Sequence, residues 1–284
     1  MTQAEIGIGI PTYNRYRSLE TCISQILRLT RSRFNLVVAD DGSKDETVAL
    51  CAHHNIACVT GKNMGIAWNK NRALFFLNQM MECEVTIIIE DDCHPTNPGW
   101  ERDWVAGAKK WGHTNFSGDW FRDKVLSGAG SIEDPFVSTS LSGQCTAFSR
   151  QALSICGYMD PRFKGYGYEH AEHSSRLVRA GFGGVMRMTG GGQLEPHYYL
   201  LASDLSVSSE ESYRDEVSLA ANWAAWTKMY RDPVYRYPWR TKEDFQQFRQ
   251  EMTFAVKSAN LPASRRLMLR AQWSKWRRRS RRLI

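Results

Sequence analysis

No run of about 18 apolar residues occurs in the 284-residue chain, so no membrane-spanning helix is expected. Residues 1–25 lack the apolar core of a secretory leader, because Glu5, Pro11, Asn14 and Glu20 interrupt them, and a cytoplasmic location is expected. Cysteine pairs at metal-binding spacing are missing too. The seven cysteines are scattered and odd in number, which favours reduced, buried thiols over a disulfide framework. There is no internal repeat. Hydrophobic residues at 42% and charged residues at 24% are ordinary globular values and exclude wholesale disorder. The length suffices for one full core with an appendage.

Acidic residues are absent from Arg265–Ile284, which holds nine Lys and Arg. Taking those nine from the net charge of +7 leaves −2 for residues 1–264, so a slightly acidic body carries a strongly basic tail.

The first half alternates strand and helix patterns. Ile6–Ile10, Phe34–Ala39, Ile56–Thr60 and Val85–Ile89 are apolar runs that end at polar or turn residues. Between them, Leu19–Leu27, Asp45–Cys51 and Gly65–Met81 follow helical spacing. This order predicts an α/β layer structure with a mostly parallel central sheet flanked by helices. In such sheets the ligand sits off the carboxyl ends of the strands. The polar clusters fall there: Thr12–Asn14, Asp40 and Asp41, Asn63, and Glu90-Asp91-Asp92. Three adjacent carboxylates repel one another unless a cation relieves them, and their oxygen chemistry suits Mg²⁺ or Mn²⁺. The middle, Trp111–Gly143, predicts loops and short strands, and Arg150–Gly157 and Glu169–Ala180 predict helices. After His197 the pattern is helical, over 206–230, 241–258 and 262–282.

Four segments resemble the family 2 glycosyltransferases of the GT-A fold, of the bacterial polysaccharide type. They are Ile10-Pro11-Thr12-Tyr13-Asn14-Arg15, Val38–Asp45, Asn63-Met64-Gly65 through Lys70-Asn71, and Glu90-Asp91-Asp92 as the metal-binding acidic motif. The resemblance covers about residues 5–200. It implies a GT-A (Rossmann-like) catalytic domain over 1–205 and a helical extension over 206–284. By resemblance, Thr12 and Asp41, with Asp40 beside it, contact the uracil and ribose of a UDP-sugar. Pro11, Tyr13, Asn14, Asn63 and Gly65 complete the nucleotide contacts. Lys70 meets the diphosphate, Glu90 and Asp91 hold the ribose or the donor sugar, and Asp92 ligates the metal.

Gly143–Arg150 and Gly165–Glu172 are similar to the acceptor side of these enzymes, with Arg176-Leu177 and Ala180-Gly181 at the family's spacing. Relatives place Glu-Asp where this chain has Glu169-His170, and the Asp is their usual general base. Three bases therefore remain open here: Glu169, His170 and Glu172. His197, downstream of Gly190-Gly191-Gly192, matches a third metal ligand by position.

The tail reads as a helix with Leu269, Trp273, Trp276, Ser280 and Leu283 on one face, cations elsewhere and Pro262 at its start. That pattern suits an anionic membrane surface bound by Arg265–Ile284. Nucleic acid and a merely solvated end are the alternatives. The expectation is a metal-dependent, inverting transferase that moves a sugar from a UDP-sugar to a saccharide or lipid-linked saccharide acceptor. Its expected setting is surface polysaccharide assembly, in the cytoplasm or at the inner face of the membrane. Glycosylation of nucleic-acid bases and non-catalytic nucleotide-sugar binding are the rival functions.

Overall fold

The computed structural model describes residues 6–208, 215–229, 232–258 and 263–280. In chain order the elements are β1 (Ile6–Thr12), α1 (Tyr16–Leu29), β2 (Phe34–Asp40), α2 (Thr47–His53), β3 (Ala57–Thr60) and α3 (Ile66–Phe75). Then come β4 (Val85–Ile89), β5 (Cys93–Pro95), α4 (Glu101–Trp111), β6 (His113–Phe116), β7 (Val125–Ser127), β8 (Phe136–Ser138) and β9 (Cys145–Ser149). The rest are α5 (Arg150–Cys156), α6 (Glu169–Arg179), β10 (Gly184–Met188), β11 (Leu194–Leu201), β12 (Leu205–Val207), α7 (Glu216–Met229), α8 (Lys242–Ser258) and α9 (Ala263–Ser280).

Ten strands form one sheet in the order β3-β2-β1-β4-β9-β6-β11-β8-β7, with β10 beside β11. β1 to β4 run parallel, and β9 enters between β4 and β6 antiparallel to both. β12 pairs with β5 in a small second sheet.

Side-chain alternation covers both faces of the sheet with apolar layers. Ile8, Ile10, Val38, Ile87 and Ile89 pack with α1, α2 and α4. Val37, Ala39, Val59 and Ile88 pack with α3 on the other face. β1 alternates Ile with Gly for a steric reason. A Cβ on Gly9 would lie 2.8 Å from Ala73, and one on Gly7 would lie 2.9 Å from Leu77. The missing side chains let α3 rest directly on the strand. α3 runs on into a π-helical turn, Phe76–Met80.

The C-terminal extension shares this core. Phe248, Met252, Ala255 and Val256 of α8, and Leu269 and Trp273 of α9, join the cluster that holds Trp68, Phe75 and Leu77. The boundary expected at 205 thus divides elements that bury one another. Trp276 packs edge-on to Phe75 at 5.1 Å and stacks on Trp273 at 4.8 Å. The tail's aromatic face is therefore spent inside the protein, which corrects the expectation that it faces a membrane. What α9 offers to solvent is mostly charge: Arg266, Arg270, Lys275, Arg277 and Arg278 are exposed, with Leu267 among them.

The short strands and loops expected over 111–143 are present as β6 to β8. The helix expected over 206–230 starts later, because Leu205–Val207 pair with β5 instead. Residues 209–214, Tyr230, Pro262 and 281–284 lie outside the described residues. Among the described residues, no helix is long and apolar enough to cross a membrane. All seven cysteines are free, and six of them are buried.

Candidate functional site

The carboxyl ends of β1, β2, β3 and β4 open onto one cavity of about 500 Å³, lined by Pro11, Thr12, Tyr13, Arg15, Asp41, Asn63, Gly65, Asn69, Lys70, Glu90 and Asp91. Gly165, Tyr166 and Asp215 close it from the far side. Gly65 has φ +90°, and a Cβ there would lie 3.1 Å from Gly165 N, so glycine is what allows the two loops to meet. Of the residues expected on the nucleotide, Asp40 and Asn14 are not among those that line this cavity.

The acidic triplet follows β4 directly. Asp91 Oδ2 accepts from the Thr12 hydroxyl at 2.7 Å. Arg15 Nη1 donates to Asp91 Oδ1 at 3.0 Å and to Asp92 Oδ2 at 2.9 Å. Burial pushes the Asp91 carboxyl up to about 6, although Thr12 and Arg15 both oppose that rise. Asp92 Oδ1 is buried without a hydrogen-bond partner. An orphaned carboxylate oxygen beside a second carboxylate fits a hard divalent cation, which often takes one or two protein carboxylates and completes its shell with water and substrate phosphates. Among the described residues, no group of three or more His, Cys, Asp or Glu side chains forms a metal cage.

Lys70 joins the triplet to the start of α6. It is fully buried, with Nζ 2.7 Å from Glu90 Oε1, 3.2 Å from Gly143 O and 3.8 Å from Glu169 Oε1. Burial alone would lower its pKa; Glu90 and Glu169 outweigh that and hold the ammonium charged. At the start of α6, Glu169 Oε1 lies 3.3 Å from His170 Nδ1. Burial would raise the Glu169 carboxyl, but His170 and Lys70 bring it down to about 2. Glu169 is thus held in its anionic form between Lys70 and His170. His170 keeps its other ring nitrogen for a second partner, and its side chain is 21% exposed.

A buried cation also shapes the nucleotide loop. Arg72 Nη1 donates to Asp41 Oδ1 at 2.6 Å, and Arg72 Nε and Nη2 donate to the two oxygens of Glu251, each at 3.0 Å. Asp41 in turn accepts from the backbone N–H of Met64 and of Gly65, both at 2.9 Å. Asp40 stands behind: Ser43 N and the Thr60 hydroxyl occupy its two oxygens. Asn14 clasps the loop after β2 through Ser43 and Lys44.

Two expectations need correction, those for Glu172 and His197. Glu172 does not converge with Glu169 and His170; it makes two hydrogen bonds to Arg176, at 2.9 and 3.0 Å, and both side chains are buried. Lys70 lines the cavity as expected, and its ammonium also faces two carboxylates and a carbonyl. His197 lies at the wrong edge of the sheet. Register places Leu200 opposite Asn115, Asn115 opposite Thr146, and Thr146 opposite Ile88. His197 therefore sits level with Val85, about 13 Å along the strands from the end of β4 and about 14 Å across them. Its Nε2 meets Glu195 Oε1 at 3.2 Å instead.

Arg15, Arg72 and Glu251 were not singled out beforehand. Arg15 closes a quoted motif yet carries no spacing signal of its own. Arg72 reads as an ordinary helix-surface cation, and its partner Glu251 is 179 residues away.

Residues 8–102 match the family model described as glycosyl transferase family 2, a stretch that takes in the four parallel strands and stops inside α4. No curated protein sequence matches the chain. Among solved structures, the chain is similar to the mannosyltransferase PcManGT from Pyrobaculum calidifontis in complex with GDP-Man and Mn²⁺, with a TM-score of 0.49 and 16% identity over 96% of this chain and 70% of that one. It is similar to S. aureus TarS 1-349 in complex with UDP, with a TM-score of 0.48 and 15% identity over 95% and 70% of the two chains. GalNAc-T7 with UDP, GalNAc and Mn²⁺ gives a TM-score of 0.57 and 12% identity, over 95% of this chain and 55% of that one. The matched segment, about a third of the chain, is similar to glycosyltransferases of family 2, and the likeness to GalNAc-T7 carries the fold.

Lys70→Met leaves two carboxylates facing each other without a cation. It is expected to lower stability by about 3–5 kcal/mol, read from urea unfolding at pH 7. A loss below about 1 kcal/mol would mean that Lys70 does not hold Glu90 and Glu169 together.

Proposed function

We propose that this glycosyltransferase moves a sugar from a UDP-sugar to a hydroxyl of a saccharide acceptor, with inversion at the anomeric carbon and with His170 as the base. One chain of contacts carries the reading: Glu90 to Lys70 to Glu169 to His170. It links the donor-side acidic triplet to a histidine whose second nitrogen is not used within the pair.

The uracil fits over Pro11, beside Tyr13 and Asn63. Asp41 Oδ2 accepts one backbone N–H and retains a lone pair that suits the uracil imide. Asp91 and Asp92 would hold Mn²⁺ or Mg²⁺, which in that place neutralises the departing diphosphate. Glu90, steadied by Lys70, is placed to hold the donor sugar. Glu169 orients the His170 ring by its contact at Nδ1, which leaves Nε2 to take the proton of the acceptor hydroxyl. The acceptor oxygen then forms its bond to the anomeric carbon. The bond from that carbon to the phosphate oxygen breaks on the opposite face, and UDP leaves with the electron pair.

The setting we propose is polysaccharide assembly on a membrane surface, with α9 held by charge because its tryptophans pack on the protein core. Flotation with anionic vesicles is then expected at low salt and lost at high salt. Flotation that survives high salt would contradict attachment by charge. A salt-dependent shift of DNA without flotation would favour the nucleic-acid reading.

UDP release from a panel of UDP-sugars, with Mn²⁺ and a mixed saccharide acceptor pool, tests the chemistry. His170→Ala is expected to lower kcat about 10²- to 10⁴-fold with the KM for the donor little changed. Asp92→Asn or a chelator should abolish release. Full activity in His170→Ala would remove His170 as the base. UDP bound with metal but never released from any sugar would favour a binding module.

A further inference from the structure

Arg15 occupies an unusual place. A single nitrogen, Nη1, bridges the carboxylates of two consecutive residues, Asp91 at 3.0 Å and Asp92 at 2.9 Å. This is the position that an oxygen-bound divalent cation shared by those residues needs. A guanidinium and a metal ion cannot both stand between the same two oxygens, because each carries positive charge and each needs the same lone pairs. The remaining oxygen of Asp92 is buried and unpartnered, so the guanidinium alone does not satisfy the pair. Arg15 also has somewhere to go. Its side chain is 31% exposed and lines the nucleotide cavity, and it makes no capping bond to the helix it precedes.

We propose that Arg15 is a built-in competitor of the divalent cation. It neutralises Asp91 and Asp92 until a nucleoside diphosphate enters the cavity, then moves to the phosphates and yields the carboxylates to the metal. The inference rests on the metal site proposed above. Its consequence is an order of binding: the metal binds weakly to the free protein and tightly only together with the diphosphate. Arg15 suits that exchange because its planar fork serves carboxylates and phosphates equally well.

The test is Mn²⁺ binding to the nucleotide-free protein, read as loss of the free-ion electron paramagnetic resonance signal. Arg15→Gln is expected to bind Mn²⁺ at least about ten-fold more tightly than wild type, because a charge held against both ligands has been removed. Arg15→Lys, which keeps the charge, should stay near wild type. Adding UDP should tighten Mn²⁺ binding in wild type and have a smaller effect in Arg15→Gln. Unchanged or weaker Mn²⁺ binding in Arg15→Gln would overturn the competition, as would equal shifts in the Gln and Lys variants. Asp92→Asn separates the two ideas. If with UDP present it binds Mn²⁺ as wild type does, or if Arg15→Gln binds none, the metal site itself is wrong, and the competition falls with it.

Discussion

The buried Arg72 guanidinium is the constraint on which the nucleotide side depends. A fully buried arginine is tolerated only when its donors are met, since stripping it of water costs several kcal/mol. Here they reach Asp41, the Asp40 and Lys62 carbonyls, Asn69 and both oxygens of Glu251. Meeting that demand fixes the loop after β2, the loop after β3 and the first turn of α3 in one arrangement. Asp41 can then receive the Met64 and Gly65 N–H groups, and α3 starts where it must to deliver Asn69 and Lys70. Glu251, which also accepts from Trp68 Nε1 at 3.1 Å, belongs to α8, so the C-terminal extension is a structural part of the nucleotide pocket.

A second constraint is charge at the sheet edge. Glu90, Asp91, Asp92 and Glu169 are gathered against two cations, Arg15 and Lys70. Lys70 is locked between donor and acceptor sides and cannot leave without exposing two carboxylates to each other. Arg15 is the movable one. This division of labour, one cation for architecture and one for exchange, follows from burial: the side chain of Lys70 is 2% exposed and that of Arg15 is 31% exposed.

The parallel half of the fold was legible because its signals are local. Apolar runs stopped by Asp-Asp-Gly or Glu-Asp-Asp name strand ends, and parallel topology sends those ends to one edge. Val85–Ile89 is a strand in the sequence pattern and in the fold alike, and Thr12, Asp41, Asn63 and Glu90, which follow the strand ends in the sequence, line one cavity. What failed was long-range. The match of His197 to a metal ligand rested on position along the chain, whereas its place in space is set by the pairing of β11 through β6 and β9 to β4. Glu172 shares a helical face with Glu169 on paper, yet Arg176, one turn on, takes both its oxygens. The tail's tryptophan stripe has the same pattern whether it meets lipid or a protein core. Phe75, Trp239 and Phe245 decide the matter, and no periodicity in the tail reveals them.

The central claim is that α8 helps to build the nucleotide pocket through Arg72. The most direct measurement is a calorimetric titration of UDP into Glu251→Gln, a substitution behind the cavity wall that keeps the shape of the side chain and removes its charge. The account predicts a variant that stays folded by circular dichroism and binds UDP about ten-fold or more weakly, because Arg72 no longer holds Asp41 in place. Unchanged UDP affinity in the folded variant would contradict it and would make the extension a bystander to the site.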